Sequence, residues 1–331
     1  MNNNSVWKSK GFAAEPISED LNLVEEIERL KKEKNAIIMA HYYQDKEVQD
    51  IADFVGDSLA LAQQAAKTDA DVIMLAGVYF MGETAKILSP DKKVLIPDLN
   101  AGCSLADSAP TADFEAFVKK YPNHQVVTYV NTTAAVKALS DVVVTSTNAL
   151  GVINSIPADQ PILFGPDRNL GNYLESLSGR KMVLWDGACH VHEKFSIDKI
   201  AALKEQYPEA ELLAHPECKR PLLIMADYVG STAALLKYSI SSDKTTFIVA
   251  TESGILHQMQ KMAPDKTFIP APPLDSTCGC NDCEFMKLNT LKKVYLALNY
   301  EYPEVFVDES IRVKALKPIE RMLEISASLK L

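Results

Sequence analysis

The chain has 331 residues, 47% of them hydrophobic, which is enough apolar content for a large core and a length typical of about two domains. Acidic residues outnumber basic ones by 44 to 34, so the net charge of −10 offers no overall positive field for nucleic acid or an anionic membrane. Six cysteines are too few for a disulfide-stapled secreted domain, and they are better explained as thiols, metal ligands or catalytic groups.

The first segment of the chain is polar and lacks the apolar core that a secretory signal carries. The longest apolar runs are also far shorter than the roughly 20 residues that cross a bilayer. We therefore expect a soluble, reduced, cytoplasmic protein.

A charged helical segment followed by a buried strand occurs three times along the chain. The predicted strands end at His41, Tyr129 and His215, which are 88 and 86 residues apart. In each copy a second strand, a helix and a short final strand follow, and then cysteine: Cys103, Cys189, and the group Cys278, Cys280 and Cys283. Alternating strands and helices indicate an α/β fold with three similar three-layer αβα domains, whose parallel sheets we expect about a pseudo-threefold axis.

The repeat also sets the expected domain boundaries. We predict an N-terminal extension at 1–19, αβα domains at 20–108, 109–195 and 196–290, and a C-terminal helical segment at 291–331 that packs back on the domains.

Hydroxyl residues recur 17 positions after the three strand ends, at Ser58, Ser146 and Thr232. Each precedes a small or apolar run, and this pattern predicts a helix N-cap. Ligands of parallel sheets bind at the carboxyl ends of the strands and at the following helix N-termini. If these ends face the axis, we expect a cavity for small anions above a metal centre.

An isolated buried cysteine is usually a small hydrophobic residue, but a cysteine at the same place in every copy favours a ligand. The glycines near Cys103 and Cys189, in AGC and GAC, predict close backbone approach. Zinc could be held locally by Cys278, Cys280, Cys283 and a histidine. Thiolates from three domains better suit an iron-sulfur cluster with one open iron. Cys218 lies outside the repeat and is interpreted as an ordinary thiol.

Acid and base groups accompany two of the strand ends. His215 is followed by Glu217 in HPE, and His41 is followed by Tyr43 in HYY. His190 and His192, beside Cys189, are either hydrogen-bond donors to cluster sulfur or surface residues. Motifs G-x-G, G-K-[ST] and G-x-S-x-G are absent, which argues against dinucleotide enzymes, phosphate-loop NTPases and hydrolases with a nucleophile elbow.

With these residues assembled, the chain resembles the quinolinate synthase family, the quinolinate synthetase A proteins, over about residues 20 to 325. The motifs that carry the resemblance are AHYYQ at 40–44, GDS at 56–58, GVYFMGETAKILSP at 77–90, YVN at 129–131, VTSTNAL at 144–150, HPEC at 215–218 and C-x-C-x-x-C before EFMKLNTL.

The resemblance implies a transferase that condenses iminosuccinate with dihydroxyacetone phosphate to quinolinate, phosphate and water in de novo NAD biosynthesis. It implies a [4Fe-4S] cluster on Cys103, Cys189 and Cys283, whose open iron acts as a Lewis acid. Proton transfer falls to Tyr43, His215 and Glu217. The implied substrate contacts are His41, Ser58, Tyr129, Asn131, Ser146, His215, Glu217 and Thr232. Functional coupling to L-aspartate oxidase is expected, and neither nucleic acid nor a membrane is.

The third cysteine group departs from the family's usual C-x-x-C-x-x-C spacing. Cys278 and Cys280 are therefore either a redox pair or spare thiols, and a C-x-C disulfide would be strained. Two other functions remain open from the residues alone. One is a non-catalytic iron-sulfur or zinc sensor of a small dicarboxylate, and the other is a hydratase of the aconitase kind.

Overall fold

The structure is a computed structural model that describes residues 3–275 and 281–331. Cys278 and Cys280 lie outside the described residues, so the two hypotheses for them stay open. The chain divides into two compact units. The first consists of Met1–Cys103 with Glu284–Val313, and the second consists of Ser104–Cys283 with Lys314–Leu331.

The first unit contains one parallel sheet with strand order β2-β1-β3-β4. In chain order, the helices and strands from the N-terminus to the last strand of this sheet are α1 (Asn3–Lys10), α2 (Leu23–Glu33), β1 (Ala36–His41), α3 (Lys46–Asp50), β2 (Phe54–Gly56), α4 (Ser58–Lys67), β3 (Val72–Ala76), α5 (Tyr79–Leu88) and β4 (Lys93–Leu95). Apolar side chains of α2, β1 and β3 form the core beneath the sheet, including Ile27, Ile38 and Met74.

The second unit contains two further parallel sheets with the same topology, β6-β5-β7-β8 and β10-β9-β11-β12. The elements of the first of these sheets are α6 (Ser104–Asp107), α7 (Thr111–Lys119), β5 (Gln125–Tyr129), α8 (Ala134–Lys137), β6 (Val142–Val144), α9 (Ala149–Ser155), β7 (Ile162–Gly165), α10 (Arg168–Ser178) and β8 (Met182–Leu184). Those of the second are α11 (His190–Glu193), α12 (Ile197–Gln206), β9 (Glu211–Ala214), α13 (Arg220–Met225), β10 (Tyr228–Val229), α14 (Thr232–Ser241), β11 (Thr246–Ala250), α15 (Ile255–Met262) and β12 (Thr267–Pro270).

The end of the chain is helical, as the sequence pattern predicts. A 3-10 turn at Met286–Leu288 precedes α16 (Leu291–Tyr300) and α17 (Glu309–Ser328). Val294, Ala297 and Leu298 of α16 complete the core of the first unit. α16 returns to the first sheet although almost 200 residues of chain separate it from β4.

Within the described residues, the α/β class and the three αβα layers are confirmed. Each sheet is entirely parallel because every strand is followed by a crossover segment, most often a helix. Of the four strands in each sheet, the second along the chain, which is only two or three residues long, was not anticipated from the sequence. A strand of two or three residues shows no periodicity of its own, and this one follows a helix of only four to six residues, whereas the equally short β4 and β8 follow the long helices α5 and α10.

A repeated aspartate fastens each central strand to the loop before the short second strand. Asp53, Asp141 and Asp227 stand 15 residues after Ile38, Val126 and Leu212. Each carboxylate accepts the strand residue's backbone N–H at 2.7–2.8 Å, and each aspartate N–H donates to the same residue's carbonyl at 2.8–2.9 Å. The three copies therefore share a hydrogen-bonding device as well as a topology.

The prediction that Ser58, Ser146 and Thr232 are helix N-caps is wrong. The caps of α4 and α14 are Asp57 and Ser231, whose side chains accept from Ala60 N and Ala234 N. Ser58 and Thr232 are the first helical residues, while Ser146 lies three residues before α9. In Asp57-Ser58 and Ser231-Thr232 both residues of the pair are suitable N-caps, and only the backbone dihedrals show that the first of each pair is the cap.

The glycine prediction holds at one of the two cysteine segments. A Cβ on Gly187 would lie 2.5 Å from the carbonyl oxygen of Pro166, so the backbone there leaves no room for a side chain. A Cβ on Gly102 would meet Phe285 at 3.7 Å, which is an ordinary contact. Close approach is therefore a property of the Cys189 segment alone.

None of the described helices is both long enough and apolar enough to cross a membrane.

Candidate functional site

Polar side chains gather in the second unit where two central strands end. Tyr129 is the last residue of β5, and His215 and Glu217 follow β9 directly. All three are buried, with 4%, 2% and 3% of their surface exposed. Polar groups this deeply buried need partners, because an unpaired one costs free energy.

Glu217 is held by groups from three directions. The Tyr129 hydroxyl donates to Glu217 Oε1 at 2.5 Å, and Asn169 Nδ2 donates to the Glu217 carbonyl at 3.0 Å. His192 Nδ1 lies 3.0 Å from Glu217 Oε2, at an angle outside that of a regular hydrogen bond. The carboxylate is thus fixed between a phenol and an imidazole.

The charge of Glu217 is set by these neighbours. Burial raises its pKa, but the attraction of His192 and His215 and the hydrogen bond from Tyr129 outweigh burial and lower the pKa to about 2. Glu217 is therefore a carboxylate at neutral pH and an acceptor for protons.

His215 lies against His192, with the ring centroids 4.8 Å apart and the planes 29° from parallel. Its Nδ1 accepts the Glu217 backbone N–H at 3.4 Å, and its Nε2 is 3.2 Å from Ser146 Oγ. Burial, with a smaller contribution from His192, lowers the pKa of His215 to about 3. The ring is then neutral, and the hydrogen bonding assigns its proton to Nε2.

Cys189 lies beside this acid and base cluster. Ligand atoms of Cys189, His192 and Glu217 all lie within 4.8 Å of one another, so the three side chains form a group that could hold a metal ion. They supply sulfur, nitrogen and oxygen, the donor types found around zinc and iron.

Two buried acids hold the cysteine segments of the second unit. Cys189 N donates to Asp167 Oδ2 at 3.3 Å, and Cys283 N donates to Glu252 Oε1 at 3.1 Å. Asp167 and Glu252 occupy equivalent places, two residues after β7 and β11. Burial, followed by the charge of Glu217, raises the pKa of Asp167 well above its usual range.

Exposure separates the four cysteines that the structure describes. Cys103, Cys189 and Cys283 are partly exposed, whereas Cys218 is fully buried and donates from Sγ to the Ala250 carbonyl at 3.4 Å. Burial raises the pKa of the Cys218 thiol, which disfavours the thiolate that a metal requires. Cys218 is thus the least suitable ligand of the four.

The first unit carries a site segment with the same local geometry. His41 ends β1, and its Nδ1 accepts the Tyr43 backbone N–H at 3.1 Å, as His215 accepts from Glu217. The rings of His41 and Tyr43 meet edge to face with centroids 4.5 Å apart. Lys287 Nζ donates to the Tyr43 carbonyl at 2.9 Å and fixes the turn.

The remaining predicted contacts lie at strand ends and helix starts. Ser58 and Thr232 begin α4 and α14, and Thr232 is buried. Asn131 follows β5, and its Oδ1 is buried without a hydrogen-bond partner among the described residues. A buried acceptor of this kind can receive an N–H or O–H from a bound ligand.

Several residues of the site were not identified from the sequence as site residues. His192 was left between two roles, and its 3% exposure and contact with Glu217 now exclude a surface role. Asp167 could have been found as the N-cap before the run RNLGNYLESL, since its Oδ1 accepts from Leu170 N at 2.8 Å. Asn169 and Glu252 gave no comparable signal.

The sequence is similar to a known protein family over most of its length. Residues 25–324 match the profile of the family described as Quinolinate synthetase A protein. The quinolinate synthase of Thermosynechococcus vestitus is 58% identical over 306 residues, which cover 92% of this chain and 96% of that protein. The quinolinate synthase of Gloeothece citriformis is 61% identical over 300 residues, 91% of this chain and 93% of the relative. That of Chloroherpeton thalassium is 56% identical over 313 residues, 94% of this chain and 97% of the relative. The chain therefore belongs to the quinolinate synthetase A protein family.

Proposed function

We propose that this protein is a quinolinate synthase that condenses iminosuccinate with dihydroxyacetone phosphate to quinolinate, phosphate and water. Family membership over nearly the whole chain supports this proposal. The observation that carries it is the buried carboxylate Glu217, fixed between Tyr129 and His192 beside a partly exposed cysteine.

The proposed cofactor is a [4Fe-4S] cluster held by Cys103, Cys189 and Cys283. Each of these cysteines follows the last strand of one sheet, so the ligand set has one member per copy of the repeat. When bound, the cluster supplies an open iron that polarises a substrate oxygen. The backbone contacts of Asp167 and Glu252 hold two of the ligand segments in place.

The protein's own groups divide the remaining work by their charge. Glu217, which is ionised at neutral pH, is the proton acceptor, and Tyr129 keeps the carboxylate oriented. His215, neutral and protonated at Nε2, donates with Ser146 to a carboxylate of iminosuccinate.

Tyr43 is the proposed proton donor from the other strand end. His41 Nδ1 accepts its backbone N–H and fixes the turn, and the phenol O–H supplies the proton. The proposed substrate contacts are His41, Ser58, Tyr129, Asn131, Ser146, His215, Glu217 and Thr232.

One assay tests the activity and the cofactor together. Protein purified without oxygen should be brown, contain iron and sulfide, and form quinolinate when L-aspartate oxidase supplies iminosuccinate alongside dihydroxyacetone phosphate. A colourless protein that contains zinc, on a site such as Cys189, His192 and Glu217, would refute the cluster. Hydration of a dicarboxylate without quinolinate would instead support a hydratase.

Tyr43→Phe and Glu217→Gln test the acid and base roles. Removing a general acid or base typically lowers kcat by about 100- to 10,000-fold, and we expect losses in this range for both variants. Lys119→Gln, on the exposed face of α7, is the control and should keep full activity. Near wild-type turnover by either site variant with normal iron content would disprove its role.

A further inference from the structure

The loops after the three strand ends contain one position that differs in chemistry among the copies. Eight residues after His41, Tyr129 and His215 stand Gln49, Lys137 and Leu223. Gln49 is 2% and Lys137 0% exposed, whereas Leu223 packs against the apolar core of the third sheet. The third copy has an apolar and only partly buried side chain here, so the buried polar groups of the first two copies require an explanation of their own.

In the first copy the buried amide supports the turn that carries Tyr43. Gln49 Nε2 donates to the carbonyl of Tyr42 at 3.0 Å and to that of Gln44 at 2.8 Å. The two bonds enclose Tyr43 on both sides along the chain. The turn is therefore fixed from within the protein by a residue that lies outside it.

In the second copy a buried ammonium does the same for the loop that carries Asn131. Lys137 Nζ contacts the Thr132 carbonyl, and Thr132 Oγ1 donates to the Tyr129 carbonyl at 3.1 Å. Burying a lysine is costly unless its charge is compensated by hydrogen bonds. The contact with the Thr132 carbonyl compensates the buried ammonium of Lys137 and fixes this loop.

The third loop obtains its support from another element. Asn169, at the start of α10, donates from Nδ2 to the Glu217 carbonyl at 3.0 Å. All three loops thus have a side-chain N–H donor on a backbone carbonyl. In the first two copies the residue eight positions after the strand end supplies one, and Lys287 adds another in the first; in the third copy, which has Leu223 at that position, Asn169 supplies it.

We propose that Gln49 and Lys137 are positioning residues for the reaction, which fix the loops at 42–44 and 130–132 so that Tyr43, Tyr129 and Asn131 are preorganised. Neither residue needs to touch a substrate. This inference rests on the proposed function, because that function makes Tyr43, Tyr129 and Asn131 site residues that must be held in position.

Exchanging residues between copies of the repeat tests this proposal. Lys137→Leu introduces the residue of the third copy and removes the donor, whereas Lys137→Gln introduces that of the first copy and keeps one. Hydrogen exchange of the backbone amides at 130–132 should accelerate by about tenfold or more in Lys137→Leu, the effect of losing a buried hydrogen bond. Lys137→Gln should stay within about threefold of the native rate.

Steady-state kinetics separates positioning from mere stability. In Lys137→Leu we expect KM for iminosuccinate to rise and kcat to fall, each by about fivefold or more, with recovery in Lys137→Gln. Lys266→Leu is the matched control, because Lys266 Nζ also contacts backbone carbonyls, at Ser239 and Ile240. It should lower the melting temperature and leave KM unchanged.

Gln49→Leu repeats the test in the other loop and covers the case in which Lys137→Leu does not fold. It should accelerate exchange at 42–44 and leave 130–132 unchanged. Native exchange and native KM in folded Lys137→Leu or Gln49→Leu would overturn the proposal for that residue. The exchange measurement needs no turnover, so a native protein that forms no quinolinate would refute the proposed function without deciding the positioning role.

Discussion

At the scale of single residues, environment separates the cysteines more clearly than spacing does. Cys218 follows Glu217 directly, yet its side chain lies in the core of the third sheet and bonds to the Ala250 carbonyl. Burial, and then the negative charge of Glu217, raises the pKa of its thiol. Cys189 and Cys283 are partly exposed on segments held by buried carboxylates.

This difference predicts the order of chemical labelling. In metal-free protein treated with iodoacetamide at about pH 8, Cys189 and Cys283 should be alkylated before Cys218, because the thiolate is the reactive form and must be accessible. Peptide mass spectrometry measures the three rates, and a denatured sample provides the control in which Cys218 reacts as well. Equal rates in the folded protein would contradict the assignment of Cys218 as an inert core thiol.

The residue scale also shows what sequence reasoning can reach at a site. Tyr129, His215 and Glu217 were identified because they recur at strand ends or stand beside one that does. His192 could not be assigned, since its contact with Glu217 depends on where α11 places it. Contacts between residues 25 positions apart are set by packing and leave no periodic signal.

At the scale of elements, the repeated aspartates bond to the backbone of the central strand in each of the three sheets. Asp227 accepts from Leu212 N at 2.7 Å and pairs with Lys204 at 2.6 Å. Burial raises the pKa of Asp227, but the hydrogen bonds from Lys204 and Leu212 outweigh burial and lower it. The depressed pKa means that the ionised carboxylate stabilises the folded state.

Asp227→Ala should lower the free energy of unfolding by about 1–3 kcal/mol, because the Leu212 N–H loses its acceptor. Asp227→Asn retains an acceptor oxygen and should lose less. Urea unfolding at neutral pH measures both. The control is Lys204→Met, which removes only a partly exposed ion pair and should cost below about 1 kcal/mol. A loss in Asp227→Ala no larger than that of the control would show that the backbone contact is unimportant.

At the scale of the whole molecule, α16 and the turn before it complete the first unit, whereas most of α17 belongs to the second unit. Lys293 pairs with the buried Asp98 at 2.5 Å, and Asn289 Nδ2 donates to the Gly77 carbonyl at 2.7 Å. Glu301, with φ of 52° at the end of α16, pairs with Lys34 at 2.8 Å and also with Lys93. Ion pairs at this sequence separation connect α16 and its C-cap residue Glu301 to the rest of the first unit.

Glu301 makes part of the stability dependent on pH. The hydrogen bonds from Lys34, and then Lys93, lower the pKa of Glu301 from 4.5 to about 2. A depressed carboxyl pKa stabilises the folded state above the unfolded value, and the contribution is lost as the pH falls through the folded value. Glu301→Gln should therefore melt below the native protein at pH 7, and the difference should shrink between about pH 4.5 and 2.

Differential scanning calorimetry across this pH range measures the effect. Glu304→Gln is the control, since Glu304 pairs with the single lysine Lys86 at 3.1 Å; its melting temperature should differ less from the native value. A difference between native protein and Glu301→Gln that stays constant with pH would contradict the role of the ionised carboxylate.

The sequence by itself determined the α/β class, the three copies, the strand ends at His41 and Tyr129, the third strand end to within one residue of His215, and the family. These features depend on local periodicity, spacing and short motifs, all of which are written along the chain. Only the tertiary structure decided which groups hold the candidate site residues in place: His192 and Asn169 on Glu217, Asp167 on Cys189, Glu252 on Cys283, and Gln49 and Lys137 on the loops. The physical reason is burial. A polar group inside the protein needs a hydrogen-bond partner, and folding supplies that partner from whichever element lies nearest in space.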